Sequence, residues 1–215
     1  MHFSPQMVDI ASFMESLESE KLLMVFRILP KDIAAEVFAY IDSEQQQQLV
    51  TLIGDGEIHS LLDEMFLDDA VDFLEELPAS VVKRVLQNTD PTKRALINQF
   101  LKYPENSAGS IMTIEFAEFH SSMTVRQAME SLRKTGLDKE TIYTCYIIDS
   151  ERHLVGTLAL RHLIMADEDK PVSEIMETNV ISVKTLDDQE VVADTVRKYD
   201  LMSIPVVDNE NRLVG

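Results

Sequence analysis

One cysteine, no tryptophan, six glycines and seven prolines stand among 215 residues, and each scarcity closes a class. A lone Cys145 permits neither an intramolecular disulfide framework nor a cysteine-built zinc site, and it fits a reducing compartment. Glycine and proline this sparse exclude collagen-like and low-complexity chains. No apolar run approaches the ~18 residues that span a bilayer. Met1–Ile10 has no cationic stretch before an apolar core, so no signal peptide is expected. Basic residues are also short, 19 against 38 acidic, for a net charge of −19. That deficit argues against nucleic acid and anionic lipid, both of which need lysine and arginine in excess, and favours cations and basic partners. With 45% hydrophobic residues the chain still builds a core rather than an acidic disordered tail.

The first hundred residues read as short helices in succession. Apolar residues recur at spacings of three and four (Leu22, Val25, Phe26, Leu29, then Ile33, Val37, Phe38, Ile41), the period of an amphipathic helix. Breakers follow at about every twelve residues: Leu29-Pro30, Ile41-Asp42, Gly54-Asp55-Gly56, Leu77-Pro78 and Asp90-Pro91. Asp90 before Pro91 suits an N-cap with proline at the first helical position. Such pairs predict a small α-superhelix, with a four-helix bundle as the competing arrangement.

After Tyr103-Pro104 the pattern changes to short β-rich runs alternating with helices, and the segments repeat. Ser110–Thr113 matches Glu174–Glu177; Thr124 with Gln127 matches Thr185 with Asp188 as a helix start; Ile148-Asp149…Leu154-Val155-Gly156 matches Val207-Asp208…Leu213-Val214-Gly215. Residues 143–148 and 203–207 read as buried strands, each followed by a polar turn. The first copy carries the longer helix–strand connection, Gly136 to Thr141, and the second stops before the counterpart of Thr157–Met165.

This repeated order resembles two cystathionine-β-synthase (CBS) domains in tandem. The lead-in from Tyr103 through Gly109 to Thr113 resembles the junction between the helical N-domain and first CBS domain of MgtE-type magnesium channels, with Ser110 where that family usually has a second glycine. Pro30-Lys31…Ala34–Val37, Leu67–Asp72, and Asp188–Val191 through Tyr199-Asp200 resemble the same family, so the likeness covers nearly the whole chain. It implies a multi-domain α and α/β protein: an acidic helical domain over 1–103, a first CBS domain of β-α-β-β-α order over 104–168, and an incomplete second over 169–215. It further implies a non-enzymatic, homodimeric regulatory region on the cytoplasmic side of the inner membrane, preceding a transmembrane pore domain of the same polypeptide. In that family Mg²⁺ ions bind between the N- and CBS domains, and the pore shuts when cytosolic Mg²⁺ is plentiful. Carried over by position, the resemblance picks out Asp68, Asp69 and Asp72, and also Glu36, on the helical domain. On the CBS side it picks out Asp188 and Asp200, with the backbone near Arg197.

The residues speak to a cation on their own. Between Asp32 and Val82 there are thirteen acidic residues and no lysine or arginine. Asp68, Asp69, Asp72, Glu75 and Glu76 share one helical face opposite Leu67, Val71, Leu74 and Leu77. Like charges four apart cost about 0.2–0.5 kcal/mol each, which a divalent cation relieves. Carboxylates suit a hard ion such as Mg²⁺, which takes one or two of them and keeps its waters; no EF-hand loop is present. A solvated acidic face, and first-turn acids at Asp187, Asp188 and Glu190 favoured by the helix dipole, are the structural alternatives. His2, His59, His120, His153 and His162 show no ligand spacing, Cys145 reads as a small core residue, and the eleven methionines as core filling. No phosphate loop or nucleophile–base set appears. CBS pairs often hold adenosine nucleotides through Ser/Thr-x-x-Asp at the last helix; here Ala159-Leu160-Arg161-His162 stands instead, which weighs against a nucleotide-sensing module. An acidic scaffold for a basic partner is the remaining rival.

Overall fold

In the computed structural model residues 5–215 are described, so His2 lies outside the described residues. The chain forms two compact units, 1–102 and 103–215.

Among the described residues the first unit has eight helices: α1 (Pro5–Glu15), α2 (Ser19–Ile28), α3 (Lys31–Tyr40), α4 (Ser43–Leu52), α5 (Asp55–Glu64), α6 (Leu67–Glu75), α7 (Ala79–Gln87) and α8 (Pro91–Phe100). The corners fall at Leu29, Ile41, Ile53, Met65, Leu77 and Thr89, twelve residues apart, and all but the half-buried Leu29 are buried. From α2 to α5 each helix ends on a corner residue in extended conformation, followed directly by an extended N-cap, so one peptide reverses the chain while the corner side chain fills the core; α6 instead ends at Glu76 in helical conformation, one residue before Leu77. The breakers predict these corners except Met65-Phe66, which has neither glycine nor proline. Thr89 is the polar corner, and its hydroxyl is satisfied by Val85 O at 2.9 Å. α1, α3, α5 and α7 pack in one row, α2 on α4 and α6 on α8, which is superhelical stacking rather than a closed four-helix bundle. Long polar side chains tie neighbouring turns. Arg84 donates to Val50 O and Ile53 O at the end of α4, and the Lys93 ammonium donates to Leu62 O and Met65 O at the end of α5. Carbonyls at helix C-termini have no intrahelical partner, so cations there satisfy both the acceptors and the dipole.

The second unit contains α9 (Ala108–Ile111), β1 (Phe116–His120), α10 (Val125–Thr135), β2 (Thr141–Ile148), β3 (Leu154–Ala159), α11 (Leu160–Met165), β4 (Val183–Lys184), α12 (Gln189–Tyr199) and β5 (Val206–Val207). β2 is central, parallel to β1 and antiparallel to β3; β4 and β5 form a second, parallel pair. The second strand run is shorter than its sequence predicts because Pro205 has no N–H to donate; its carbonyl still accepts from Val183 N. Both polar turns are built alike. Asp149 Oδ1 accepts from Glu151 N and His153 N, and Asp208 Oδ1 from Glu210 N and Arg212 N. The left-handed residue in each turn is Arg152 and Asn211, with φ of 68° and 65°. Arginine is the poorer choice there, and its guanidinium is held by both Glu118 carboxylate oxygens at 2.9 Å.

The two copies exchange their lead-in segments. Ala108 N and Gly109 N, ahead of the first copy, donate to Asp187 O and Thr185 O of the second. Conversely, Val172 N donates to Met123 O, Lys170 O accepts from Val125 N, and Glu177 pairs with Thr157. Met176 thereby packs on Gly156 and Met112 on Gly215: a Cβ at either glycine would lie 2.5 Å from the methionine sulfur. Phe116, Tyr146, Ile148, Leu154, Val207 and Leu213 form the core shared by both copies. Helix α12 starts at Asp188, whose side chain caps Glu190 N; the sequence match of Thr124 to Thr185 is therefore three residues out, and the counterpart of Thr124 is Asp188. Aspartate caps as well as threonine, which is why pattern alone misplaces the start.

Candidate metal-binding faces

Helix α6 buries Leu67, Ala70, Val71, Phe73 and Leu74, with Phe73 set edge-on to Phe38 of α3, ring centres 4.9 Å apart. That burial rotates Asp72, Glu75 and Glu76 to the exposed side and leaves Asp68 and Asp69 half-buried in the first turn. Desolvation and the like charge of Glu76, four residues on, push the Asp72 carboxyl above the usual carboxylate range. Glu36 is half-buried on α3, two positions from Phe38 and so about 200° around that helix from the ring that meets α6. The structure does not place Glu36 on the α3 face that packs against α6.

Two members of the acidic block are neutralised by arginines from beyond its ends, which the sequence reading missed. Arg27 reaches both Glu57 oxygens at 2.8 and 3.0 Å, and with Gly54 N holds the Glu57 carboxyl below its usual range. Arg84 meets Asp55 at 2.9 Å. The signal was present at Arg27 and Arg84, one turn or two beyond the acidic run in sequence but opposite its helices in space.

In the second unit Asp188 and Asp200 stand at opposite ends of α12. Asp188 is the N-cap; Asp200 is the C-cap, in left-handed conformation with φ of 51°. Twelve residues at the ~1.5 Å rise of a helix put them about 18 Å apart, so one ion cannot hold both. Asp187 Oδ2 accepts from Lys184 N at 2.7 Å, and Asp188 Oδ1 from Glu190 N at 2.8 Å, the local roles anticipated for first-turn acids. Arg197 pairs with Asp194 at 2.9 Å. Among the described residues no three His, Cys, Asp or Glu side chains converge as a metal cage within the structure. Pairs and single carboxylates on helix surfaces are what it offers, and Mg²⁺, content with one or two carboxylates and several waters, fits such donors better than Ca²⁺.

The other candidates resolve as structural. His59 Nδ1 lies 2.9 Å from Asn88 O and Nε2 3.3 Å from Asp63; His153 Nδ1 lies 3.0 Å from Asp149. Cys145 is fully buried beside Ile147 and Leu158, and burial pushes its thiol up to about 12. Ala159 is the N-cap of α11 and makes no side-chain capping bond, so this helix start carries neither the hydroxyl nor the carboxylate of Ser/Thr-x-x-Asp.

Comparison with known proteins agrees with this layout. The family model described as the MgtE intracellular N domain matches residues 6–106, and the CBS domain model matches 108–169 and 172–215. The magnesium transporter MgtE of Thermus thermophilus is 37% identical over 211 residues, covering 96% of this chain and 47% of that protein. The magnesium transporter MgtE of Enterococcus faecalis is 44% identical over 119 residues, covering 55% of this chain and 26% of that protein. The chain thus spans at most about half the length of the curated relatives it matches. Among solved structures, the cytosolic domain of the Mg²⁺ channel MgtE in complex with ATP superposes with a TM-score of 0.91 at 37% identity, covering all of this chain and 87% of that one. The soluble part of a magnesium transporter superposes equally well, 0.91 at 35% identity, with 95% and 81% covered. An intracellular N domain followed by a CBS pair, matched over nearly every residue, places the chain in the MgtE family.

Proposed function

We propose that the chain is the cytosolic Mg²⁺-sensing region of a magnesium channel or transporter, on the cytoplasmic side of the inner membrane ahead of a transmembrane pore domain in the same polypeptide. It works as a homodimer and catalyses nothing. Mg²⁺ is its regulatory ligand and the cargo of the whole protein. The carboxylates Asp68, Asp69, Asp72 and Glu36 of the helical unit and Asp188 and Asp200 of α12 repel one another while cation is scarce. Divalent ions shared between the two sets replace repulsion with attraction and favour a compact dimer that closes the pore. A ligand moves such an equilibrium only by preferring one state, and about 5.5 kcal/mol takes it from 1:99 to 99:1. Several ions together supply that.

The observation that carries this reading is Asp72, an acid kept on the surface beside Glu76 with its carboxyl pushed upward in pKa by burial and like charge. Nothing about helix formation calls for that pair, and a cation relieves it. Small-angle scattering with and without millimolar Mg²⁺, at matched ionic strength, tests the reading. The radius of gyration falls on adding Mg²⁺ and does not fall in the charge-reversed Asp68→Lys/Asp72→Lys variant. An unchanged radius in the unmodified chain refutes it.

A second reading, adenine-nucleotide sensing, draws on the ATP complex of the 37% identical relative. Ala159-Leu160-Arg161-His162 lacks the usual hydroxyl and carboxylate, so any nucleotide here would be held by other groups. Titration calorimetry with ATP, ADP and AMP, with and without Mg²⁺, separates it from ion sensing.

A further inference from the structure

The chain passes from α8 into the second unit through a segment that is fixed residue by residue. Leu101 N and Lys102 N close the last turn of α8 on Ile97 O and Gln99 O. The Tyr103 ring then lies over Gly109, where a Cβ would fall 2.6 Å from Tyr103 Cδ1 and 2.9 Å from Thr185 O. From Asn106 onward the bonds run to the start of α12. Gln189 N donates to Asn106 O at 2.8 Å and Gln189 Nε2 to Asn106 Oδ1 at 2.9 Å, Ser107 forms a bridge with Asp188, and Ala108 N donates to Asp187 O at 2.7 Å.

The internal repeat supplies a second seam for comparison. At the 64-residue offset of the copies, Asn106 corresponds to Lys170 and Gln189 to Val125. The reciprocal seam has the same backbone bond, Val125 N to Lys170 O at 2.8 Å, and the same kind of bridge, Thr124 with Pro171. Val125 has nothing to donate there, and the side-chain bonds of that seam come instead from the next residue, Arg126, to Glu168 Oε2 at 2.7 Å and Asp169 Oδ1 at 3.2 Å on the exposed surface. Asn106 also holds φ of 62°, a conformation asparagine tolerates, whereas Lys170 is not left-handed. Each lead-in is therefore tied to the opposite copy's helix start by backbone pairing and by side chains, exposed arginine–carboxylate pairs in one seam and an amide–amide bond in the other. Of the two seams, the one where the chain arrives from the helical unit has the neutral, directional amide–amide bond at the position adjoining the N-cap, together with the left-handed turn.

We propose that Asn106 and Gln189 form a clamp that transmits displacement of the incoming linker to the N-terminal turn of α12, making both positioning residues for Asp188. The clamp is read from the hydrogen bonds themselves; its use in Mg²⁺ sensing rests on the function proposed above. Asp188 adjoins Gln189 and caps the same turn, so a shift passed through Asn106 moves that carboxylate before it moves the body of the sheet.

Amide hydrogen exchange on the full chain tests this with Gln189→Ala and Asn106→Gly, both of which remove the side-chain bond without forcing an unfavourable backbone. Loss of one hydrogen bond raises exchange roughly three- to tenfold for the amides it supports. The expected pattern is that rise at Ala108, Gly109, Gln189 and Val192, with the amides of Cys145, Tyr146 and Ile147 in β2 unchanged. Adding Mg²⁺ slows exchange over 187–192 in the unmodified chain and no longer does so in the variants, although their radius still falls. Unchanged exchange at α12, or an equal rise throughout the unit, overturns the clamp. An unmodified chain that does not compact with Mg²⁺ overturns the sensing reading, while the metal-free exchange pattern still decides the clamp.

Discussion

Gly156→Ala measures how tightly the two copies are interlocked. Gly156 lies in β3 opposite Ile147, and its backbone is ordinary extended strand, so alanine is not strained there by conformation. In an open strand the change gains about 0.5–1 kcal/mol, since glycine carries excess entropy in the unfolded chain. Here the new Cβ meets Met176 Sδ at 2.5 Å, Met176 Cγ at 2.9 Å and Glu177 O at 3.1 Å. The methionine end can swing aside. Glu177 cannot, because it exchanges two hydrogen bonds with Thr157 at 2.8 and 2.9 Å. Overpacking of this kind costs about 1–3 kcal/mol, leaving a net loss of about 1–2 kcal/mol.

Urea unfolding reads the loss as a midpoint lowered by about 0.5–1 M, taking a slope of about 2 kcal/mol/M. Met176→Ala removes both offending side-chain atoms. In the double variant about 1 kcal/mol of the glycine penalty therefore returns as a coupling energy between two contacting sites. A Gly156→Ala variant as stable as the unmodified chain, or strict additivity with Met176→Ala, refutes the interlock.

Three other outcomes follow from local geometry. Arg84→Ala lowers stability by about 1–2 kcal/mol through the two α4 carbonyls it leaves unsatisfied rather than through exposed Asp55, and Arg84→Lys recovers less than half, as a urea midpoint shows. Asp72→Asn, without divalent cation, raises stability at pH 7 by about 0.2–0.5 kcal/mol, the cost of one like-charge pair four apart, read from the urea midpoint. Because the folded carboxyl titrates above its unfolded value, the stability it contributes is present at low pH and lost as pH rises through the folded pKa; the gap between variant and unmodified chain therefore closes on acidification. Cys145, with its thiol pushed up to about 12, resists iodoacetamide at pH 8 in the native state and reacts once urea unfolds the chain; ready native labelling refutes its burial.

Periodicity and breakers made the helical unit legible because each helix is short and each corner repeats at twelve residues; the reversals at Leu17-Glu18 and Met65-Phe66, marked by neither glycine nor proline, escaped. The repeat in the second unit was legible from Met112/Met176 and the two Asp…Leu-Val-Gly tails. What the repeat cannot show is that each lead-in belongs structurally to the other copy, since the exchange is fixed by contacts such as Met176 on Gly156 that lie between copies. The same limit applies to the acidic faces. Spacing put Asp68 and Asp72 on one side of α6, but although Arg27 and Arg84 stand just outside the acidic run, only the stacking of helices about 30 residues apart pairs them with Glu57 and Asp55.

Distance along α12 constrains how any sensing by this helix must work. Asp188 and Asp200 sit about 18 Å apart, beyond the Debye length of about 8 Å at physiological salt, so in the proposed mechanism each carboxylate would answer to a separate ion. At fixed Mg²⁺ the free energy favouring compaction is then a sum over independent ions. Asp188→Asn keeps the N-cap, because asparagine caps as well as aspartate, and removes only the charge. Asp200→Asn keeps the left-handed C-cap for the same reason. The two losses add within about 0.5 kcal/mol when the compact fraction is followed by scattering at a single Mg²⁺ concentration. A coupling well above that means one ion touches both carboxylates, which requires α12 to come apart on binding Mg²⁺ and would overturn the rigid-helix reading of the site.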